Sequence, residues 1–386
     1  MKVSLAALLC LLVTVSATRG QNRVLELNGA GDFVELPSGV LSNVTTATIE
    51  AWVNWRSFDA QNGQNKRVFN YGSAWRDVSL AQRNSGELWL VFPEDRLHVH
   101  DVSTRRIVVT NTWYHLAGVI GKEGMKLYLN GWLIDSNDYT GGFEKALPTA
   151  LFRIGETVSI KDPPAAFEGM IDEVRLWNTA RSVDEIRANL HRRLTGNETN
   201  LIALWNFDDD TAKDRGPNGW HGAFRGKAHA IPADIPNNIG VGQSFLDARV
   251  HNFKGEREES ILEVTAGTNL LVAKFSQDGV FKIVLPASSE PMTLHAYHIY
   301  GNASLSNVVI APGGQSKIRI ELPPFVDNLE NTNRFVAALN NVLATDPTTL
   351  EQMDASVMLR LSPFLHSSEK QMLSLFESRD VNRRRF

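Results

Sequence analysis

Short alternating runs of apolar and polar residues dominate residues 21 to about 230. ATIEAWVNW (47–55), GELWLVF (86–92), TWYHLAGVI (112–120) and MKLYLNGWLI (125–134) are the clearest, with Gly, Asn or Asp between them. A period of two marks β-strands, whose successive side chains point to opposite faces. Strands this short and evenly spaced predict an all-β sandwich or barrel. Asn130-Gly131 lies between two runs and is the strongest short hairpin signal in the chain. All nine tryptophans fall between Trp52 and Trp220, which argues for one aromatic-rich core.

A second β region follows, over 243–324. LLVAKFSQDGVFKIVLP (270–286) reads as two strands joined near Asp278-Gly279, and MTLHAYHIY (292–300) and QSKIRIELPP (315–324) continue it. A stretch of this length suits a smaller Ig-like β-sandwich. Between the two regions, residues 231–242 hold prolines, glycines and asparagines and read as a linker. Past Pro323-Pro324 the period changes. Leu329, Phe335, Val336, Leu339 and Val342-Leu343 recur at helical spacing, and Leu350, Met353, Val357-Met358 and Leu361 repeat the pattern. Residues 325–386 are therefore expected to form a short helical tail. It resembles a truncated α-solenoid repeat, whose helices would dock on a partner or on missing repeats.

Lys2, the apolar run 4–17 and Val15-Ser16-Ala17 form the three parts of a signal peptide, so residues 1–20 are expected to be removed. No later segment has eighteen consecutive apolar residues, so the expected product is secreted or periplasmic, without membrane insertion. The single cysteine, Cys10, lies inside that signal. The exported chain then has no thiol for catalysis, for metal or for a disulfide. Charged residues make up 21% of the sequence and the net charge is −4, with both signs interspersed. That excludes nucleic acid as an electrostatically driven partner.

Candidate chemistry starts from acids set in apolar strands. In FEGMIDEVRLWNTARSVDEI (167–186), strict alternation places Asp172 on one face with Val174 and Leu176, and Glu173 on the other with Arg175. GAGDFVELP (29–37) repeats the arrangement with Asp32. A buried carboxylate needs a partner. Either Asp32 and Asp172 meet at one rim and share Ca²⁺ through oxygen ligands, or each caps nearby backbone amides. Trp75, in the turn-rich NYGSAWRD, is the candidate for stacking on a sugar. His98 and His100 share a strand face, and Asp208-Asp209-Asp210 lacks the spacing of a calcium loop. Asn43, Asn197 and Asn302 begin glycosylation sequons.

LELNGAGDFVELP, TIEAWVNW, TWYHLAGVI, MKLYLNGWLI, LFRIGE and FEGMIDEVRLWNTARSVDEI, in that order, resemble a laminin-G-like, concanavalin-A-like jelly roll over 21–230. DGVFKIVLP and APGGQSKIRIEL resemble a carboxypeptidase regulatory-like sandwich. The resemblance implies a mainly β chain of two sandwiches. Pentraxins share this jelly roll and bind through calcium. The likeness to them would put Asp77, in VFNYGSAWRDVSL, and Glu156, in RIGET, on metal, although Val78 stands where that pattern has an amide. A glycosidase would need an array of facing carboxylates, and no E-x-D-x-x-E array occurs. Glu26 and Glu50 each stand alone in a strand. The expectation is a non-catalytic, exported binding or adhesion protein that recognises carbohydrate or an extracellular protein. A glycoside hydrolase and a fragment of a longer scaffold are the alternatives.

Overall fold

A computed structural model describes residues 21–345 apart from 59–64, 74–75, 84–85, 96, 105–106, 144–149, 159–165, 287, 289 and 327. Beyond 345 it describes only Thr349, Met353 and Leu361. The signal-peptide segment lies outside the described residues, as does most of the tail. The first region contains β1 (Arg23–Asn28), β2 (Phe33–Leu36), β3 (Ala47–Trp55), β4 (Lys66–Ser73), β5 (Arg76–Arg83), β6 (Glu87–Pro93), β7 (Val99–Ser103) and β8 (Trp113–Ile120). It continues through β9 (Lys126–Leu129), β10 (Trp132–Ser136), β11 (Leu151–Ile154), β12 (Glu168–Trp177), α1 (Val183–Asn189), β13 (Leu201–Trp205), β14 (Ala223–Arg225) and β15 (His229–Pro232). The back sheet runs β10-β9-β8-β3-β12-β1-β15, with β13 also on β12; the front sheet runs β14-β2-β11-β4-β5-β6-β7. Their inner faces close on one core that includes Trp55, Phe69, Tyr71, Phe152 and Trp205. This is the predicted jelly-roll sandwich. Asn130, at φ 50°, and Gly131, at φ 78°, make the predicted hairpin between β9 and β10, since both central residues of such a turn need positive φ.

The second region contains β16 (Ser244–His251), β17 (Ser260–Ala266), β18 (Asn269–Ser276), β19 (Val280–Leu285), β20 (Met292–His298), β21 (Gly301–Val308) and β22 (Gln315–Glu321), followed by α2 (Leu329–Thr345). A three-stranded sheet β19-β16-β22 and a four-stranded sheet β18-β17-β20-β21 enclose a second core. The helical period places Phe335, Ala338, Leu339 and Val342 on one side of α2. That side packs on Ile261, Ala273 and Ile299 of the second sandwich. The apolar face expected to seek a partner is, for α2, covered by the chain itself. No helix among the described residues is long and apolar enough to cross a membrane.

Strict alternation fails in β12. Asp172 pairs with Trp52 and Arg175 with Glu50, so three steps on β12 oppose two on β3. The extra residue is a β-bulge. Glu173 lies there at φ 49°, a left-handed conformation that costs a residue with a Cβ about 1 to 3 kcal/mol. The bulge shifts the phase. Ile171, Val174 and Leu176 all face the core, and Asp172 and Arg175 share the opposite face. The expectation that Asp172 points inward with Val174 and Leu176 is therefore corrected.

The outer face of the back sheet is also covered. Leu190, Met170, Ile231, Ala233, Ile235 and Ile239 pack over Trp52 and Trp113. The segment read as linker is thus a strap, and β15 carries the sheet through Pro232. Under this cover sits a buried ion cluster. Glu50, fully buried, accepts from Arg181 Nη1 at 2.8 Å, with Arg175 Nη1 at 3.7 Å and His115 Nε2 at 3.3 Å. Burial alone would raise the Glu50 carboxyl. The neighbouring His115 and the charges of Arg175 and Arg181 outweigh burial and hold it below its ordinary 4.5. Burial lowers His115, so its imidazole is neutral at pH 7. Arg175 also binds Glu173 through Nε at 3.1 Å and Nη2 at 2.9 Å, which ties the strained bulge to the cluster.

The two sandwiches touch through aromatic rings. Phe245 of β16 belongs to the jelly-roll core and stacks on Trp132 with centroids 5.9 Å apart and planes at 17°. The Arg187 guanidinium lies 3.8 Å from the Trp132 ring centroid. Lys282 of β19 donates to the Ile134 carbonyl.

Two outcomes follow for stability. Glu50→Gln takes the carboxylate partner from buried Arg181, while Arg175 keeps Glu173, and should cost about 3 to 5 kcal/mol in chemical denaturation. Because the folded pKa of Glu50 is the lower one, its contribution is complete above the ordinary value of 4.5 and fades as pH falls below it. The Gln variant should therefore lose that part of the acid dependence. Phe245→Ala should cost about 3 to 5 kcal/mol and lower the unfolding midpoint of the jelly roll, read by tryptophan fluorescence. An unchanged jelly-roll midpoint would show that the ring is no part of that core.

Candidate functional site

The outer face of the front sheet is buried at its centre, at Asn70 and Ser79, and accessible at the β6–β7 edge, where Trp89 is half-buried and Asp101 exposed. Residues that alternate with its core positions form a row across seven strands. In register these are Ala223, Glu35, Arg153, Asn70, Ser79, Val91 and Asp101. One step along β6 from Val91's neighbour, Trp89 stands on the same face and is half-buried. Its indole Nε1 donates to Asp101 Oδ2 at 3.0 Å, and the Arg83 guanidinium lies 5.0 Å from the ring centroid. These two contacts from β7 and β5 hold the ring's orientation against rotation about its side-chain bonds.

At the buried centre of the sheet, Asn70 is the hub of a fixed polar group. Its Nδ2 donates to Asp77 Oδ2 at 2.8 Å, Ser79 Oγ at 2.6 Å and the Val78 carbonyl at 3.0 Å. Its Oδ1 accepts from the Val158 amide at 2.7 Å. Arg67 Nη2 lies 3.3 Å from Asp77 Oδ2. Arg153 donates to the Thr157 carbonyl at 2.6 Å and lies 4.5 Å from the Phe33 ring centroid. Asn70 and Ser79 are fully buried and bonded to one another, so this group braces the centre of the sheet and the accessible polar groups are those beside Trp89.

The predicted site residues separate. Asp32 caps backbone: its Oδ1 accepts from the Lys227 amide at 2.6 Å and its Oδ2 from Asn28 at 3.4 Å. Asp172 Oδ1 accepts from the Glu173 amide at 2.7 Å and Oδ2 from Asn22 Nδ2 at 3.1 Å. Burial and then the Glu173 charge push the Asp172 carboxyl well above the usual range. The β1–β12 register pairs Leu25 with Ile171 and Asn28 with Glu168, so the two acids sit beyond opposite ends of that ladder. The expected shared calcium between Asp32 and Asp172 is corrected: no rim brings them together.

Asp77 and Glu156 come nearer. Both flank Asn70, Asp77 directly and Glu156 through the turn that ends at Val158. Glu156 Oε1 accepts from the Thr157 amide at 2.7 Å. Arg67 already supplies the positive charge beside Asp77, where a Ca²⁺ ion would need several free oxygens. These residues do not fit calcium, and among the described residues no three His, Asp or Glu side chains are grouped to hold a metal. Trp75 lies outside the described residues. His98 binds Asp95 at 2.8 Å, and His100 stacks on Tyr139 at 3.7 Å, so the two rings have separate partners. Asn43 and Asn197 are exposed in turns, and Asn302 lies in β21. Sequence reasoning missed Trp89, Arg83, Asn70 and Arg153. GELWLVF showed Trp89 as a strand residue, but the accessible edge was not visible in it.

Several solved structures are similar to parts of this chain. A Bacteroides ovatus protein with a proposed carbohydrate-binding role shares 18% identity at a TM-score of 0.45, covering 56% of this chain and 61% of its own. The chain therefore spans under two thirds of that protein. The SAP-like pentraxin of Limulus polyphemus shares 12% identity at 0.41, covering 56% and 96%. Domain 4 of an extracellular arabinanase from Geobacillus stearothermophilus, solved with arabinotriose, shares 26% at 0.36, covering 43% and 75%. No curated protein matches by sequence. Residues 28–187 match the family model Laminin_G_3, described as the concanavalin A-like lectin/glucanases superfamily.

Proposed function

We propose that this chain is an exported, non-catalytic protein that binds carbohydrate at the β6–β7 edge of its front sheet. The observation that carries the reading is Trp89: an aromatic plane, half-buried and pinned by Asp101 and Arg83 at the accessible β6–β7 edge. A pyranose ring offers an apolar face to the indole and hydroxyls to the adjoining Asp101 carboxylate and Arg83 guanidinium. The superfamily matched by residues 28–187 includes both sugar binders and glucanases. The acids of this face favour binding. Glycoside hydrolysis requires two available carboxyl groups roughly 5 to 9 Å apart across the scissile bond. Here Asp77 is held by Asn70 and Arg67, Asp101 by Trp89, and Glu35 by Arg225 at 2.7 Å. The second sandwich, with its resemblance to carboxypeptidase regulatory-like modules, serves in this reading as a rigid support.

A glycan array identifies the ligand, and calorimetry then measures it. Trp89→Ala should weaken binding by about tenfold or more, close to 1.4 kcal/mol, with an unchanged unfolding midpoint. Trp89→Phe should recover most of the loss. Excess chelator should leave affinity unchanged, and incubation with the bound polysaccharide for a day should release no reducing ends. Equal affinity in the Ala variant would remove the front face from the reading. Release of reducing ends would favour the hydrolase.

A further inference from the structure

We propose that Asn197 carries an N-linked glycan and that its first N-acetylglucosamine is seated in a depression on the back of the jelly roll. This surface is separate from the Trp89 face. Three observations meet there. The sequon Asn197-Glu198-Thr199 sits in a turn with a held shape. Glu198 accepts from the amides of Thr195 and Gly196, both at 2.9 Å, and from Thr195 Oγ at 3.1 Å. Gly196 takes φ 90° within it. Asn197 itself is exposed.

The second observation is the depression, about 700 Å³ with its open mouth included. Trp177, Thr179, Asn189, Arg192, Asn197 and Asn200 line it, so the sequon's own asparagine forms part of the wall. Thr, Asn and Arg side chains suit the hydroxyls and the acetamido group of a hexosamine. The Arg192 side chain is 58% exposed, and its carboxylate neighbour Glu198 stands off at 3.7 Å, which leaves N–H donors for sugar oxygens.

The third observation is the contrast with the other sequons. Asn302 pairs with Tyr297 within the sheet. Its Nδ2 donates to Asn331 Oδ1 at 3.0 Å, and its Oδ1 accepts from Arg334 Nη1 at 3.1 Å. A sugar on Nδ2 would stand where α2 docks. The sequon's Ser304 hydroxyl is bound as well, to His295 Nδ1 at 2.8 Å. Asn43 shares the exposure of Asn197, in the turn between β2 and β3, but the depression lies beside Asn197.

The test secretes the full chain from cultured human cells held at high-mannose glycans. Peptide mass spectrometry should find Asn197 occupied and Asn302 unmodified. Trimming with endoglycosidase H to a single N-acetylglucosamine should leave the melting temperature where it was. Thr199→Ala, which destroys the sequon and keeps Asn197, should lower it by about 2 °C or more, and Asn197→Gln should reproduce that drop. An unmodified Asn197 overturns the site. Melting temperatures equal in all forms overturn the seating of the sugar. A glycan on Asn302 overturns the reading of access on which the choice rests. None of these outcomes bears on Trp89, so this proposal and the binding face fail or stand separately.

Discussion

The extra residue in β12 is the constraint on which the rest of the jelly roll depends. Without it, one strand could not send Ile171, Val174 and Leu176 to the core and still place Asp172 and Arg175 together on the other side. The cost is local strain at Glu173, offset where Arg175 grips its carboxylate through two nitrogens. The same arginine donates to the carbonyls of Asn189 and Arg192. One side chain thus fastens the bulge, the Glu50 cluster and the segment that follows α1. A buried ionic cluster adds little net stability over an apolar one of equal fit, but its geometry admits few alternatives. It fixes which way the 178–194 segment crosses the sheet.

That crossing divides the labour between the two faces. The back sheet is roofed by α1, the 190–194 segment and the 231–239 strap, so its polar groups are internal and structural. On the front sheet Trp89 is half-buried and Asp101 exposed, while the polar groups at the sheet's centre, Asn70 and Ser79, are buried. Acids of the two faces therefore differ in role. Glu50 is a counter-ion under cover, Asp77 holds the buried Asn70 and Arg67, and Asp101 orients Trp89 at an accessible surface.

Much of the fold was legible because alternation and turn residues are local signals. The strands around Trp52, Trp113 and Trp132, the Asn130-Gly131 hairpin and the helical period of 329–343 all follow from spacing alone. What failed depended on long-range pairing. MIDEVRL alternates without a flaw on paper, and a glutamate at positive φ gives no advance sign of a bulge. Asp32 and Asp172 have similar glycine-flanked settings, and only the pairing of Asn28 with Glu168 puts them at opposite ends of a ladder. The apolar side of α2 was visible, but its cover of Ile261, Ala273 and Ile299 was not, since those residues lie on other strands earlier in the chain. The candidate edge was the least legible, because an edge is accessible only when nothing elsewhere in the chain lies over it.

The Phe245 ring has a consequence for how such a chain could be assembled by recombination. Modular exchange works when each unit carries its whole interior with it. Here an exchange at residues 231–242 would transplant a jelly roll lacking the ring that stacks on Trp132, and would leave the second sandwich with an exposed phenylalanine at the start of its first strand. The segment that looks in sequence like the natural cutting point is the one place where neither neighbour is complete. The heritable unit is the pair.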